Sequence, residues 1–196
     1  MTINNQTFYK SSFEKHGSSP LGLHWNSLQS QEVRFEVIAK LLKKESLHHL
    51  TLADAGCGFG DLFLFLQAKG LLPKHYLGID VMEEFIHIAQ ERLQRFSHCK
   101  LTCKDILKDE LPFADWYVCS GAMNILSNFN TWLFIEKMLA SSRKGVVFNL
   151  LEGKRDGSFF NYKEKLEIID FLESKGLQYE MEEGYLEHDI SVKIRL

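Results

Sequence analysis

Thr51-Leu52-Ala53-Asp54-Ala55-Gly56-Cys57-Gly58-Phe59-Gly60-Asp61 reads as a strand, a glycine turn and the start of a helix. Leu52 to Ala55 supply the strand, and the apolar run Leu62-Phe63-Leu64-Phe65-Leu66 carries the helix opened by Asp61. Glycine reaches positive φ without steric cost and lets a ligand approach the backbone closely. Unpaired amides at a helix start favour a polar or anionic group there. The glycine spacing narrows the choice. A dinucleotide-binding turn takes glycines at its first, third and sixth positions. Here the sixth position is Asp61, the third glycine is one residue earlier, and Asp54 stands two residues ahead of Gly56.

This Asp-x-Gly-x-Gly-x-Gly pattern closely resembles motif I of the class I S-adenosylmethionine-dependent methyltransferases. The alternative is a glycine-rich turn with no ligand, since such motifs carry false positives. The resemblance implies an α/β, Rossmann-like fold: a seven-stranded, mostly parallel sheet with a C-terminal antiparallel hairpin and helices on both faces. It implies that Asp54, Gly56, Cys57, Gly58 and Gly60 shape a loop under the methionine and ribose of the cofactor, S-adenosyl-L-methionine. His75-Tyr76-Leu77-Gly78-Ile79-Asp80 reads as the next strand, ending in a carboxylate twenty positions after Gly60. An acid there suits a ribose diol, because a carboxylate accepts paired hydroxyls. Val81 and Met82 then form an apolar wall under adenine. Asp80 could equally cap the helix beginning near Glu83, and both roles can hold together.

Working outward, 196 residues are most simply one domain. Hydrophobic residues at 45% and charged residues at 25% are ordinary for a soluble globular chain. A net charge of −3 offers no electrostatic case for nucleic acid. No apolar run reaches the roughly eighteen residues that cross a bilayer, and Met1-Thr2-Ile3-Asn4-Asn5-Gln6 does not look like a secretion signal. The cytoplasm is the expected compartment. Cys57, Cys99, Cys103 and Cys119 show no Cys-x-x-Cys pair, and the histidines show no metal spacing, so free thiols and no metal are expected.

Residues 1–30 are polar and lack a clear period, yet they hold large aromatics, which disordered tails usually lack. They are expected to be a tail or a lid, with residues 31–196 forming the domain proper. From Ser30, a plausible N-cap, a helix places Val33, Val37, Ile38, Leu41 and Leu42 on one face. The run Glu14-Lys15-His16-Gly17-Ser18-Ser19-Pro20, then His24-Trp25-Asn26-Ser27, then Ser30-Gln31-Glu32-Val33-Arg34-Phe35 resembles the N-terminus of a group of small bacterial class I methyltransferases. That group continues with a Gly-Cys-Gly-Phe-Gly-Asp loop and ends with a segment similar to Glu183-Gly184-Tyr185-Leu186-Glu187-His188-Asp189, so the resemblance spans nearly the whole chain. It implies that Trp25, Gln31 and Arg34 help to close the pocket, Arg34 on the cofactor's carboxylate. The alternative is that Gln31 and Arg34 are surface residues.

Residues 83–96 read as an amphipathic helix with Phe85, Ile86, Ala89, Leu93 and Phe96 inward, followed by a short strand, Lys100-Leu101-Thr102-Cys103. The resemblance then implies that Asp105 meets the exocyclic amine of adenine and that Ile106 packs on its ring; a surface turn is the alternative. Asp115 to Ser120 form the fourth strand. Ligands of open α/β sheets bind beyond the strands' carboxyl ends, which puts Ser120 and Gly121, with the residues up to Asn124, beside the site of transfer. Residues 129–141 read as a helix with Trp132, Ile135 and Leu139 inward. Gly145 to Leu151 form an apolar, doubly covered fifth strand. Residues 162–175 read as a helix with Leu166, Ile169 and Leu172 inward, stopped by Gly176. Gln178–Leu186 and Asp189–Leu196 follow with only a short turn between, so they must pair antiparallel. In the last strand Ile190, Val192, Ile194 and Leu196 alternate with polar residues, as a half-buried strand does.

The expected activity is direct in-line methyl transfer to a small-molecule acceptor, by a monomer or homodimer. No catalytic side chain is assigned; His16, His24 and His188 are bases only in principle. An NAD-dependent oxidoreductase is disfavoured by Asp61 and by the terminal hairpin. A noncatalytic module of the same fold, or an RNA or protein methyltransferase, is the remaining alternative.

Overall fold

The computed structural model describes residues 5–17, 22, 27–155 and 159–196, with side chains from Lys10 onward. Its element order is α1 (Asn5–His16), α2 (Leu28–Leu42), β1 (Thr51–Ala55), α3 (Asp61–Ala68), β2 (His75–Asp80), α4 (Glu83–Leu93), β3 (Cys99–Cys103), β4 (Ala114–Cys119), α5 (Asn128–Ser141), β5 (Ser142–Glu152), β6 (Tyr162–Lys163), α6 (Lys165–Ser174), β7 (Gln178–Glu183) and β8 (Asp189–Arg195).

The strands form one sheet in the order β3-β2-β1-β4-β5-β8-β7. β1 to β5 run parallel, whereas β8 runs antiparallel between β5 and β7. The Rossmann-like sheet and terminal hairpin are therefore as expected. One correction is an eighth strand: two-residue β6 pairs in parallel with the end of β5, Leu151 opposite Tyr162. It occupies the place expected to open α6, which instead starts at Lys165 behind a turn in which Glu164 N donates to Glu167 Oε2 at 3.1 Å.

Alternation along the strands divides the core between two faces. Ala53, Tyr117, Phe148 and Ile190 point to one face and pack with Ile135 and Met138 of α5 and Ile168 and Leu172 of α6. Leu52, Trp116, Val118 and Val147 point to the other and pack with Phe35, Ile38 and Leu42 of α2 and Phe63 and Leu66 of α3. Each such fully buried large side chain contributes about 1.5–3 kcal/mol. In α6 Leu172 is inward as expected, but its buried companion is Ile168 rather than Ile169, and Leu166 is exposed. The N-cap of α2 is Ser27, whose Oγ accepts from Ser30 N at 3.1 Å, rather than Ser30 itself.

The expected half-exposed face of β8 is also corrected. Ser191 and Lys193 are as buried as Ile190 and Val192, because α2 lies across that face. Lys193 Nζ donates to Leu41 O and to Glu45, both at 2.6 Å, and sits 5.0 Å from the Trp116 ring. At Gly145, with φ 147°, a Cβ would lie 1.9 Å from Ile194 O, so only glycine lets β5 and β8 close at this point. Within residues 1–30, α1 is helical, and its Phe13 ring lies 6.1 Å from Phe59 and 5.6 Å from Phe85, against the glycine turn and α4. Among the described residues, no helix is long and apolar enough to cross a membrane.

Candidate active site

The glycine turn begins where β1 ends. Gly56, Gly58 and Gly60 have φ of 82°, 52° and 78°, values that favour glycine. The turn is pinned to the end of β2: Gly56 N and Cys57 N both donate to Ile79 O, at 2.7 and 3.0 Å, and Gly58 N donates to Asp80 Oδ2 at 2.9 Å. These three turn amides are therefore spent on the fold, and this part of the turn works as a shaped wall. A Cβ on Gly56 would come within 2.3 Å of Ala122 Cβ, so the chain after β4 rests directly on this turn.

A cavity of about 130 Å³ opens at this meeting of strand ends. Arg34, Asp54, Gly56, Cys57, Gly58, Asp80, Val81, Asp105, Ile106, Ser120 and Gly121 all line it, as does Gln31. Gly60 and Met82 lie off it. Gly60 is the N-cap of α3 and faces Leu93, a Cβ there meeting its Cδ1 at 2.9 Å. Met82 turns into a core cluster with Phe59 and Phe85 because the backbone after Asp80 aims Val81, not Met82, at the cavity. Trp25 falls outside the described residues, as does His24.

Asp80 is buried, and its Oδ1 accepts from Met82 N at 3.0 Å. The carboxylate thus holds both the glycine turn and the approach to α4. Each oxygen accepts one amide, which leaves further lone pairs for a ligand. Burial pushes its carboxyl up, against the backbone amides of Met82 and Gly58, which oppose the shift. Asp54 is pushed up to about 7, by burial first; the Tyr76 hydroxyl, donating to Oδ2 at 2.6 Å, opposes this, and the Asp80 and Asp61 carboxylates add to it. The same burial raises the Cys57 thiol well above its ordinary value and keeps it protonated.

Arg34 reaches the cavity wall, but its Nε and Nη2 each donate to Asp189 at 2.7 Å in a buried two-pronged pair. That geometry is a structural clamp between α2 and β8, which contrasts with the expected role on a ligand's carboxylate. Gln31 Nε2 donates to Asp61 Oδ2 at 3.3 Å, and Arg92 pairs with Asp61 Oδ1 at 2.7 Å. Asp105 Oδ1 accepts from Leu107 N at 2.9 Å, while Oδ2 pairs with Lys108 at 2.8 Å, so the expected surface turn exists at a residue that also faces the cavity.

Two residues that shape the site, Asn149 behind its wall and Phe134 on it, were not anticipated. Asn149 of β5 is fully buried, donates through Nδ2 to Ser120 Oγ at 3.1 Å and accepts from Gly121 N at 2.9 Å. A lone amide in an otherwise apolar strand was the available signal for it. Phe134 lines the cavity, brought there by long-range packing, and so does Phe160. Asn124, in the 3-10 turn Ala122–Ile125, is only 7% exposed, and its Oδ1 has no hydrogen-bond partner among the described residues. An unpartnered buried polar atom costs about 1–3 kcal/mol. Its backbone is fixed: Asn161 N donates to Asn124 O at 2.7 Å, and Asn161 Nδ2 to Leu126 O at 2.6 Å.

Comparison with known proteins fits this geometry. A family described as a methyltransferase domain matches residues 52–145, from β1 into β5. A protein of Mycobacterium tuberculosis, whose description as a methyltransferase is itself an inference, is 32% identical over 115 residues, covering 55% of this chain and 67% of its own length. The chain belongs to the class I S-adenosylmethionine-dependent methyltransferases. Solved structures share the methyltransferase fold end to end. A magnesium protoporphyrin IX methyltransferase from Synechocystis, with S-adenosylmethionine bound, aligns with a TM-score of 0.73 at 17% identity over 99% of this chain and 98% of its own. An N-methyltransferase from Bradyrhizobium japonicum in complex with S-adenosyl-L-homocysteine aligns with a TM-score of 0.71 at 18% identity over 98% of each chain. The protein is accordingly a methyltransferase that uses S-adenosylmethionine.

Proposed function

We propose that this methyltransferase moves the sulfonium methyl directly, in line, to a small-molecule acceptor held beside the Ser120–Asn124 segment. The observation that carries this reading is the convergence of the pinned glycine turn, Asp80, Asp105 and the chain after β4 on one cavity. The residues present fit the cofactor. Asp80 keeps lone pairs for the ribose diol after accepting its two amides. Val81 and Ile106 offer apolar contact to adenine, and Asp105 faces its exocyclic amine. Asp54 supplies a buried carboxyl for the ammonium of the methionine part. Gly56, Cys57, Gly58, Ser120 and Gly121 give a close-fitting wall, with Ser120 oriented by Asn149.

The cofactor supplies an already activated methyl group. The protein's task is to hold the two reactants aligned and to exclude water, and alignment can lower a barrier by about 7–11 kcal/mol. Residues 31–196 are the catalytic domain in this reading, and α1 covers part of it, consistent with the packing of Phe13 against Phe59 and Phe85. A small acceptor rather than a nucleic acid is supported by the acidic balance of the chain. Its four free cysteines suit the cytoplasm. Calorimetry with S-adenosylmethionine, S-adenosylhomocysteine and NAD tests the reading. Micromolar binding of the first two without NAD is expected; binding of NAD alone would overturn it.

A further inference from the structure

We infer that Ser120 recognises the carboxylate of the cofactor's methionine part by donating its hydroxyl proton to it, and that Asn149 is the positioning residue that turns the proton that way. The inference rests on the methyltransferase reading of the same cavity. It makes this pair the point at which the enzyme tells S-adenosylmethionine from its decarboxylated form.

The polarity of the pair follows from one backbone group. Gly121 N can only donate, so the Asn149 side-chain atom that it meets at 2.9 Å is the amide oxygen. The amide nitrogen is left to face Ser120 Oγ, at 3.1 Å, and it too can only donate. Ser120 Oγ is thereby the acceptor, and its own proton must go elsewhere. Among the described residues no protein group takes that proton. Asn149 is fully buried and stands behind the wall, whereas Ser120 is half-buried and belongs to the wall. The amide approaches from the back, so the proton points to the front, into the cavity. An amide in the apolar run Val146 to Leu151 costs desolvation; what it gives in return is a hydroxyl of fixed direction.

Strand register identifies the ligand group. Asp54 of β1 pairs with Val118 of β4, so Ser120 lies level with Gly56 of the turn, on which Ala122 rests. β2 and β3 lie on the far side of β1. A cofactor with its adenine at Asp105 and its ribose at Asp80, beyond β3 and β2, brings its methionine part over β1 and β4. That part carries an ammonium, assigned to Asp54, and a carboxylate, which can only accept. Several donors along the wall are spent on the fold: Gly56 N and Cys57 N on Ile79 O, Gly58 N on Asp80, and Arg34 Nε and Nη2 on Asp189. The Ser120 hydroxyl is a donor that the fold leaves unspent at this level.

The test is calorimetry of the full chain with S-adenosylhomocysteine and with its decarboxylated form, which keeps adenine, ribose, sulfur and amine. The wild type is expected to bind S-adenosylhomocysteine about tenfold more tightly or better, and Ser120→Ala to weaken it by about tenfold while changing the decarboxylated form by less than about twofold, the pattern of one lost charge-assisted hydrogen bond. In Asn149→Ala the hydroxyl loses its direction, so S-adenosylhomocysteine should again weaken selectively, and adding Ser120→Ala should cost less than about threefold more. Should Asn149→Ala fail to fold, Asn149→Thr, which suits a strand, takes its place. A merely structural role would weaken both ligands alike. That result, unchanged affinity for S-adenosylhomocysteine in Ser120→Ala, equal binding of the two ligands by the wild type, or the full cost of Ser120→Ala persisting without Asn149 would each overturn the inference. Failure of the wild type to bind either ligand would instead overturn the methyltransferase reading of the cavity.

Discussion

Two carboxylates separate roles that look alike in the sequence. Asp80 carries the glycine turn through Gly58 N and the start of α4 through Met82 N. Asp80→Ala should weaken S-adenosylhomocysteine binding at least tenfold by calorimetry, since charge-assisted hydrogen bonds contribute about 1.5–3 kcal/mol each. Unchanged affinity in a folded variant would remove the ribose assignment. Asp54 makes a different prediction. Its folded-state carboxyl titrates at about 7, above its ordinary 3.8, because burial penalises the charge. A raised carboxyl contributes stability that is fully present below the lower value and lost as pH rises through the upper one. The loss is on the order of 4 kcal/mol across that window. Asp54→Asn stays neutral, and its Oδ1 can still accept from the Tyr76 hydroxyl. Its stability relative to wild type should therefore climb between about pH 4 and 7 in urea unfolding of the cofactor-free protein. A difference that does not change with pH would rule out ionisation of Asp54 in that window.

At the scale of elements, α2 and the turn after it are joined to β8 by two buried charged side chains, Arg34 paired with Asp189, and Lys193 donating to Leu41 O and pairing with Glu45. Arg34→Ala strands the Asp189 carboxylate in the core. Breaking one side of a buried pair costs about 3–5 kcal/mol, whereas replacing both sides by apolar residues is often neutral. Arg34→Ala should therefore lower stability by about that amount in chemical denaturation, and Arg34→Met with Asp189→Leu should recover most of it. The double variant also decides what else Arg34 does, because it removes the guanidinium without unfolding the helix. If it binds S-adenosylhomocysteine as the wild type does, Arg34 is a clamp alone; a tenfold loss would restore the expected contact with the cofactor's carboxylate. Neither partner of this pair announced it. Arg34 and Asp189 lie 155 positions apart, and a charged residue on a helix face or beside a turn looks solvated when read alone. For the same reason the polar face of β8 read as exposed, although α2 covers Ser191 and Lys193.

For the whole molecule, what could be read early is what is decided locally. Gly56 to Asp61 specify a turn by their own φ requirements, Asp80 ends its strand wherever the sheet is placed, and Gly145 to Leu151 are apolar enough to need cover on both faces. The parts that escaped depend on contacts across the fold. Phe134 reaches the cavity, Asn161 locks Asn124 from a distant loop, and Tyr162–Lys163 add a strand to β5 that a two-residue pattern cannot signal. The cavity joins these separate pieces: α2 through Gln31, the turn after β1, the ends of β2 and β4, and the loop before β6 all contribute to its wall. A ligand held by all of them stabilises only the assembled fold. By linkage, S-adenosylhomocysteine at about 100 times its dissociation constant adds about 2.7 kcal/mol. For a chain of this length each kcal/mol moves Tm by about 2–4 °C, so thermal unfolding should rise by about 5–10 °C, with NAD producing no shift. The gain should be lost in Asp80→Ala and kept in Asn124→Leu, which separates the cofactor half of the cavity from the acceptor half. Equal loss in both variants would mean that the two halves do not bind independently, and that Asn124 belongs to the cofactor's own site.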